Sequence, residues 1–115
     1  MNFAALTRIA EEVSHNVVSA LPAEVRACVE ETPVFFERIP AAEDVKSGIE
    51  PDTLGLFDPG DELPTPRIRL WLENIWDEAG EDTDTFREEV EITLLHEIGH
   101  LLGWNEDQIE ERGLE

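Results

Sequence analysis

The stretch TFREEVEITLLHEIGHLLGWNED, residues 85–107, decides how this chain folds. Phe86, Val90, Leu94 and Leu101 recur at helical spacing, and that period predicts one long helix ending near Leu102. Thr85 followed three residues later by Glu88 resembles a capping box, with Asp82, Thr83 and Asp84 as alternative caps. Gly103 stands where a left-handed C-terminal cap belongs, because a residue without a Cβ leaves a helix there at no steric cost. Within this helix His96 and His100 lie four residues apart and project from one face. Glu97 sits about 100° further round from His96.

The segments before this helix carry weaker signals. Phe3, Leu6, Ala10, Val13 and Val17 predict a first amphipathic helix. Arg8, Glu11, Glu12, His15 and Asn16 fall on its opposite side, which makes His15 a surface residue. Pro22 suits the first turn of a second short helix over residues 23–31. The aromatic, β-prone run of residues 34–39 reads as a strand. Residues 40–66 are rich in Pro, Gly and Asp and read as loop, with a short strand near Leu54-Gly55-Leu56-Phe57. Over residues 67–75 Ile68, Leu70 and Leu72 alternate with Arg67, Arg69, Trp71 and Glu73. That alternation predicts a strand with one buried and one wet face. The order is helix, helix, strand, strand, helix and tail, so the fold class is α+β in a single domain over residues 1–115.

Charge narrows the partners. Twenty-eight acidic residues against eight basic ones give a formal net charge of −20 over 115 residues. Such a chain repels phosphate, so we expect no nucleic-acid partner, and no anionic membrane surface for the same reason. The acidity favours solubility and attracts cations, both metal ions and basic peptides. The apolar share, 41%, is enough to build a core, which argues against wholesale disorder. Cys28 is the only cysteine. It allows no intrachain disulfide, fits a reducing compartment and reads as a small buried hydrophobe. The first residues lack a basic region followed by an apolar run, and no stretch reaches transmembrane length, so the expected compartment is the cytoplasm.

The chemistry is concentrated at His96-Glu97-Ile98-Gly99-His100. Two imidazoles on one helix face can meet one Zn²⁺ ion, and Glu97 can reach a water there without displacing it. A third ligand is needed, and the turn at Gly103 lets the following residues fold back toward the metal. Glu106 is the candidate third ligand, with Asp107 as the alternative. Glu89, two turns before His96, lies on roughly the same face and could orient a ligand histidine.

Residues 96–106 resemble the H-E-x-x-H-x-x-G-x-x-D/H pattern of the zincin metallopeptidases. They look closest to short bacterial domains of the Asp-zincin type. Glu106 stands where those domains carry Asp and the metzincin branch carries His. The resemblance implies a minimal zincin-like fold, with N-terminal helices, a small sheet and a C-terminal active-site helix. It implies a Zn²⁺ cofactor and hydrolysis of peptide bonds by metal-activated water, with Glu97 as general base. The substrate would be a peptide or protein, by charge a basic one, and a homodimer is left open. The residues at 67–73 are the candidate strand along which a peptide could lie. The chain has no Tyr, and its only Met is Met1. The oxyanion-stabilising Tyr and the Met-containing turn that many zincins carry are therefore missing. Arg67 and Arg69 could stand in for the first, although solvent-facing charge is their simpler role. Trp104 or the tail near Leu114 could pack beneath the metal in place of the second. Trp71 and Trp76 read as core aromatics. The alternative function is a non-catalytic zincin-fold module that binds metal or protein.

Overall fold

The computed structural model describes residues 1–60 and 65–103. Five helices and three strands follow one another: α1 (Phe3–Ser19), α2 (Ala23–Glu30), β1 (Val34–Glu37), α3 (Ala42–Lys46), β2 (Gly55–Asp58), β3 (Arg67–Trp71), α4 (Leu72–Glu78) and α5 (Thr83–Leu101). This is the α+β architecture expected for a minimal zincin-like domain. None of the described helices is long and apolar enough to cross a membrane.

The strands pair in the order β1-β3-β2. β1 runs parallel to β3, with Val34 opposite Ile68 and Glu37 opposite Trp71. β2 runs antiparallel to β3, with Gly55 opposite Leu70 and Asp58 opposite Arg67. β3 is therefore the central strand. The amide of Ile68 donates to Pro33 on one side, and that of Trp71 donates to Leu54 on the other, each at 2.9 Å.

Side chains alternate across β3 as its period requires. Ile68 and Leu70 are fully buried against the helices. There they join Leu6, Ala10, Val13 and Val17 of α1, Leu72 and Ile75 of α4, and Phe86, Val90, Leu94 and Ile98 of α5 in one core. The helices present these residues at three- and four-residue spacing, the stripe that an amphipathic helix turns inward.

The opposite face of β3 departs from the sequence reading. Arg69 and Trp71 are buried there, at 7% and 0% exposure, where alternation predicted a wet surface. The reason is electrostatic. The Arg69 guanidinium donates to both carboxylate oxygens of Glu37, at 3.1 and 2.8 Å, and to both of Asp44, at 2.8 and 2.7 Å. It also lies 4.9 Å from the centre of the Trp71 ring, whose indole N–H donates to Glu37. A charge taken out of water must be paired, and two forked carboxylates meet the guanidinium in its own plane. α3, absent from the sequence reading of residues 40–66, delivers Asp44. It begins where the Asp44 carboxylate accepts from the Ala41 amide.

Three further expectations are corrected. The strand over residues 67–75 stops at Trp71, and α4 follows without a loop. Leu72, Ile75, Trp76 and Ala79 recur with helical period, and Leu72 is buried under either reading, which is why alternation ran on too far. α5 starts at Thr83, where the Asp82 carboxylate accepts from the amide and the hydroxyl of Thr85, so Asp82 is the cap rather than Thr85. Cys28 is exposed rather than buried. It sits beside Val29, the residue that α2 does turn into the core.

β2 is seated unusually close to α5. A Cβ at Gly55 would lie 2.8 Å from Thr93 Cγ2, a separation real Cβ contacts do not tolerate, and 3.0 Å from Leu70 Cδ2, tight enough that the leucine must shift. Only glycine lets the edge strand come this near the helix.

Two outcomes follow. Gly55→Ala should destabilise the fold by about 1–3 kcal/mol through overpacking. Gly55→Ala combined with Thr93→Ser, which removes the offending methyl, should recover most of the loss in a denaturant titration. Additive losses in the double variant would show that the contact is not limiting. The second outcome concerns pH. Arg69 holds the Asp44 carboxyl below the usual carboxylate range. With its folded pKa below the unfolded value of about 3.9, Asp44 contributes stability that is present above that value and lost as pH falls through the folded one. Asp44→Asn should thus be less stable than the parent at neutral pH, by about 1–2 kcal/mol. The difference should shrink as pH falls below about 3.9, the unfolded value, toward the lower folded one. A gap that stays constant between neutral pH and that acid range would contradict the pairing.

Candidate metal centre

α5 carries the site. Its last full turns hold His96, Glu97 and His100, and the helix closes at Leu102, whose amide bonds the Ile98 carbonyl. Gly103 follows with φ of +79°, the left-handed exit that its position suggested. Residues 104–115, and with them Glu106, Asp107, Trp104 and Leu114, lie outside the described residues.

The two imidazoles face each other across one helical turn. Their Nε2 atoms are 3.2 Å apart, with the rings at 83° and their centres 4.7 Å apart. Two nitrogens bound to one tetrahedral zinc ion at about 2.0–2.1 Å would lie roughly 3.3 Å from each other. The observed separation therefore fits a shared ion with little rearrangement. An N–H···N bond between neutral rings has a similar length, so ligation requires both rings to carry their proton on Nδ1. The donor atoms of His96, Glu97 and His100 all fall within 4.8 Å of one another, a grouping that could hold a divalent metal.

Glu97 is the most enclosed of the three, at 7% exposure. Its Oε1 accepts from the Phe57 amide of β2 at 2.9 Å. The geometry of the sheet explains why that amide is available. Trp71 donates to Leu54, so along β2 the alternate residues 54, 56 and 58 exchange bonds with β3. The amides and carbonyls of Gly55 and Phe57 point the other way, toward α5. Glu97 thus takes an edge donor that the sheet leaves over, and a buried carboxylate is oriented by a backbone group forty residues away in sequence. This contact was invisible in the sequence, since an amide carries no residue-type signal. The only trace was Gly55 within a short β-prone run.

Other candidates fall elsewhere. Arg69 is committed to Glu37 and Asp44, and Arg67 pairs with Asp58 at 3.5 Å, so neither lies in the His96 grouping. His15 is exposed on α1, as expected. Trp71 is fully buried, and Trp76 packs edge-on against Phe86 at 5.7 Å. Both are core aromatics, as read from the sequence. β3 cannot receive a peptide strand, because both of its edges are already paired. Residues 67–73 are therefore no platform for an extended peptide, contrary to the expectation from sequence. Glu89 does come to the site: with Leu54, Gly55, Ile92, Thr93, His96 and Glu97 it lines a cavity of about 310 Å³ between α5 and β2.

Comparison with known proteins agrees with this geometry. No curated protein matches the chain. A family model described as zincin-like metallopeptidase matches residues 29–114, about three-quarters of the sequence. The matched span opens within α2, takes in all three strands and α5, and runs on past Glu106 and Asp107. With that much of the chain matched and the helical His-Glu-His group inside it, this protein belongs to the zincin-like metallopeptidase family.

Proposed function

We propose that this chain is a zinc-dependent peptidase in which His96, His100 and Glu106 hold the metal and Glu97 is the general base. Asp107 is the alternative third ligand. The observation that carries the reading is the 3.2 Å approach of the two Nε2 atoms beside the enclosed Glu97 carboxylate. Bound there, zinc would supply Lewis acidity, polarising a peptide carbonyl and making water acidic near neutral pH.

The residues of the chain then have separable tasks. His96 and His100 present neutral nitrogens to the ion from one helix face. Glu97 accepts the proton of the attacking water on its carboxylate and passes it to the nitrogen of the departing amine as the C–N bond breaks. The Phe57 amide fixes the rotation of that carboxylate through Oε1. With the Phe57 amide committed to Glu97, β2 keeps the Gly55 amide and the Gly55 and Phe57 carbonyls for an extended substrate, since no described strand pairs with that edge.

The Phe57–Glu97 bond also supports a second reading, in which Glu97 serves chiefly to hold β2 against α5 and the protein binds metal or protein without hydrolysis. Glu97→Gln separates the two, because glutamine keeps an oxygen for the Phe57 amide but cannot take a proton. The expected result is an unchanged zinc content and melting temperature, with hydrolysis of a mixed peptide library reduced by about 10²–10⁴-fold. Equal turnover in parent and variant would remove the general-base role. Stripping the parent with a chelator should abolish turnover, and zinc should restore it. For the third ligand, Glu106→Ala should lower zinc affinity and Asp107→Ala should not. The reverse result would transfer the role to Asp107.

A further inference from the structure

We propose that the cavity beside His96 and Glu97 is a specificity pocket for a lysine or arginine side chain adjacent to the cleaved bond, with Glu89 as the residue that selects it. The proposal rests on the peptidase reading and adds a substrate class to it.

The cavity, about 310 Å³, is lined by Leu54, Gly55, Ile92 and Thr93 together with His96 and Glu97, and Glu89 is its second carboxylate. Glu89, Thr93, His96 and His100 fall on one face of α5 at spacings of four, three and four residues. Glu89 therefore stands about 10 Å along the helix axis from His96. A side chain leaving a peptide at the metal centre must be long to reach that far. The walls suit a methylene stem: Ile92 is an apolar side chain left 40% exposed, an exposure that a covering stem would reduce.

Volume alone would admit norleucine as readily as lysine, so charge decides. Glu89 has no hydrogen bond or ion pair among the described residues. The arginines nearest the sheet are committed elsewhere, Arg67 to Asp58 and Arg69 to Glu37 and Asp44. A cationic head group brought by the substrate would supply the missing counter-charge in a partly enclosed setting, where a charge-assisted hydrogen bond counts for more than at an open surface. An acidic side chain would meet Glu89 and the −20 background together.

The test uses the full chain loaded with zinc and alanine-based octapeptides that carry one variable residue: arginine, lysine, norleucine or glutamate. Binding is measured to the Glu97→Gln protein, which needs no hydrolysis, and cleavage sites are mapped by mass spectrometry with the parent. Arginine and lysine peptides should bind on the order of tenfold tighter than the norleucine peptide, and cleavage should fall next to the basic residue. Adding Glu89→Gln should erase that preference while leaving norleucine binding unchanged. Adding Glu89→Arg should turn it toward the glutamate peptide, which also guards against a variant that merely folds poorly.

Norleucine binding as tightly as arginine, no peptide binding at all, or a basic preference that survives Glu89→Gln would overturn the assignment. The last result would trace the preference to net charge alone. The peptidase reading fails or stands separately. Selective binding without turnover by the parent would keep the pocket and remove the peptidase, whereas turnover indifferent to the basic residue would do the opposite.

Discussion

The approach of β2 to α5 is the constraint on which the site depends. Gly55 has no Cβ, so its strand settles against Thr93, and that brings the Phe57 amide within 2.9 Å of Glu97. The arrangement satisfies two groups that would otherwise be costly. One is a buried carboxylate; the other is an edge amide with no partner in the sheet. It also leaves His96 beside Glu97 in the lining of the cavity between helix and strand. A helix with the same motif but without this contact would present the same side chains on an open surface. There water would screen the charges and nothing would fix the orientation of the glutamate.

A second electrostatic arrangement secures the other face of the sheet. In a chain so rich in carboxylates, a single guanidinium can collect two of them, and Arg69 collects Glu37 from the neighbouring strand and Asp44 from α3. The three residues come from parts of the sequence that share no local pattern, and the pairing turns an arginine into a buried residue. Its consequence for function is indirect but firm. Arg69 is fully occupied on the far side of β3, away from the His96, Glu97 and His100 group. Holding β1 and α3 against β3 leaves β2, on the opposite side of the central strand, as the edge next to the helix that carries the histidines.

Several sequence expectations failed for a common reason. Alternation along residues 67–75 was a correct reading of β3 as far as Trp71, then continued over residues whose burial comes from a helix. Leu72 is apolar in both periods, and a five-residue strand running straight into a seven-residue helix contains too few residues of either for the break to be seen. The short helix α3 was missed within a loop-like composition because its role is to place one carboxylate rather than to bury an apolar face; none of its residues is buried. Cys28 was assigned inward by residue type, whereas in α2 the inward position belongs to its neighbour Val29.

What the sequence determined by itself was the element that bears the chemistry: a long helix, its glycine exit at Gly103, and His96, Glu97 and His100 at the spacing that unites them. These are local properties, written in a 3.6-residue period and in backbone preferences that act within one turn. The family resemblance rested on the same residues, and the match over residues 29–114 bears it out. Only the tertiary structure decided which strand lies at the edge, which face of β3 could bury an arginine, and which backbone amide orients Glu97. Each of those depends on groups thirty or forty residues apart meeting in space. The decision is made by the summed burial and pairing of the whole chain, and no window of sequence contains that sum.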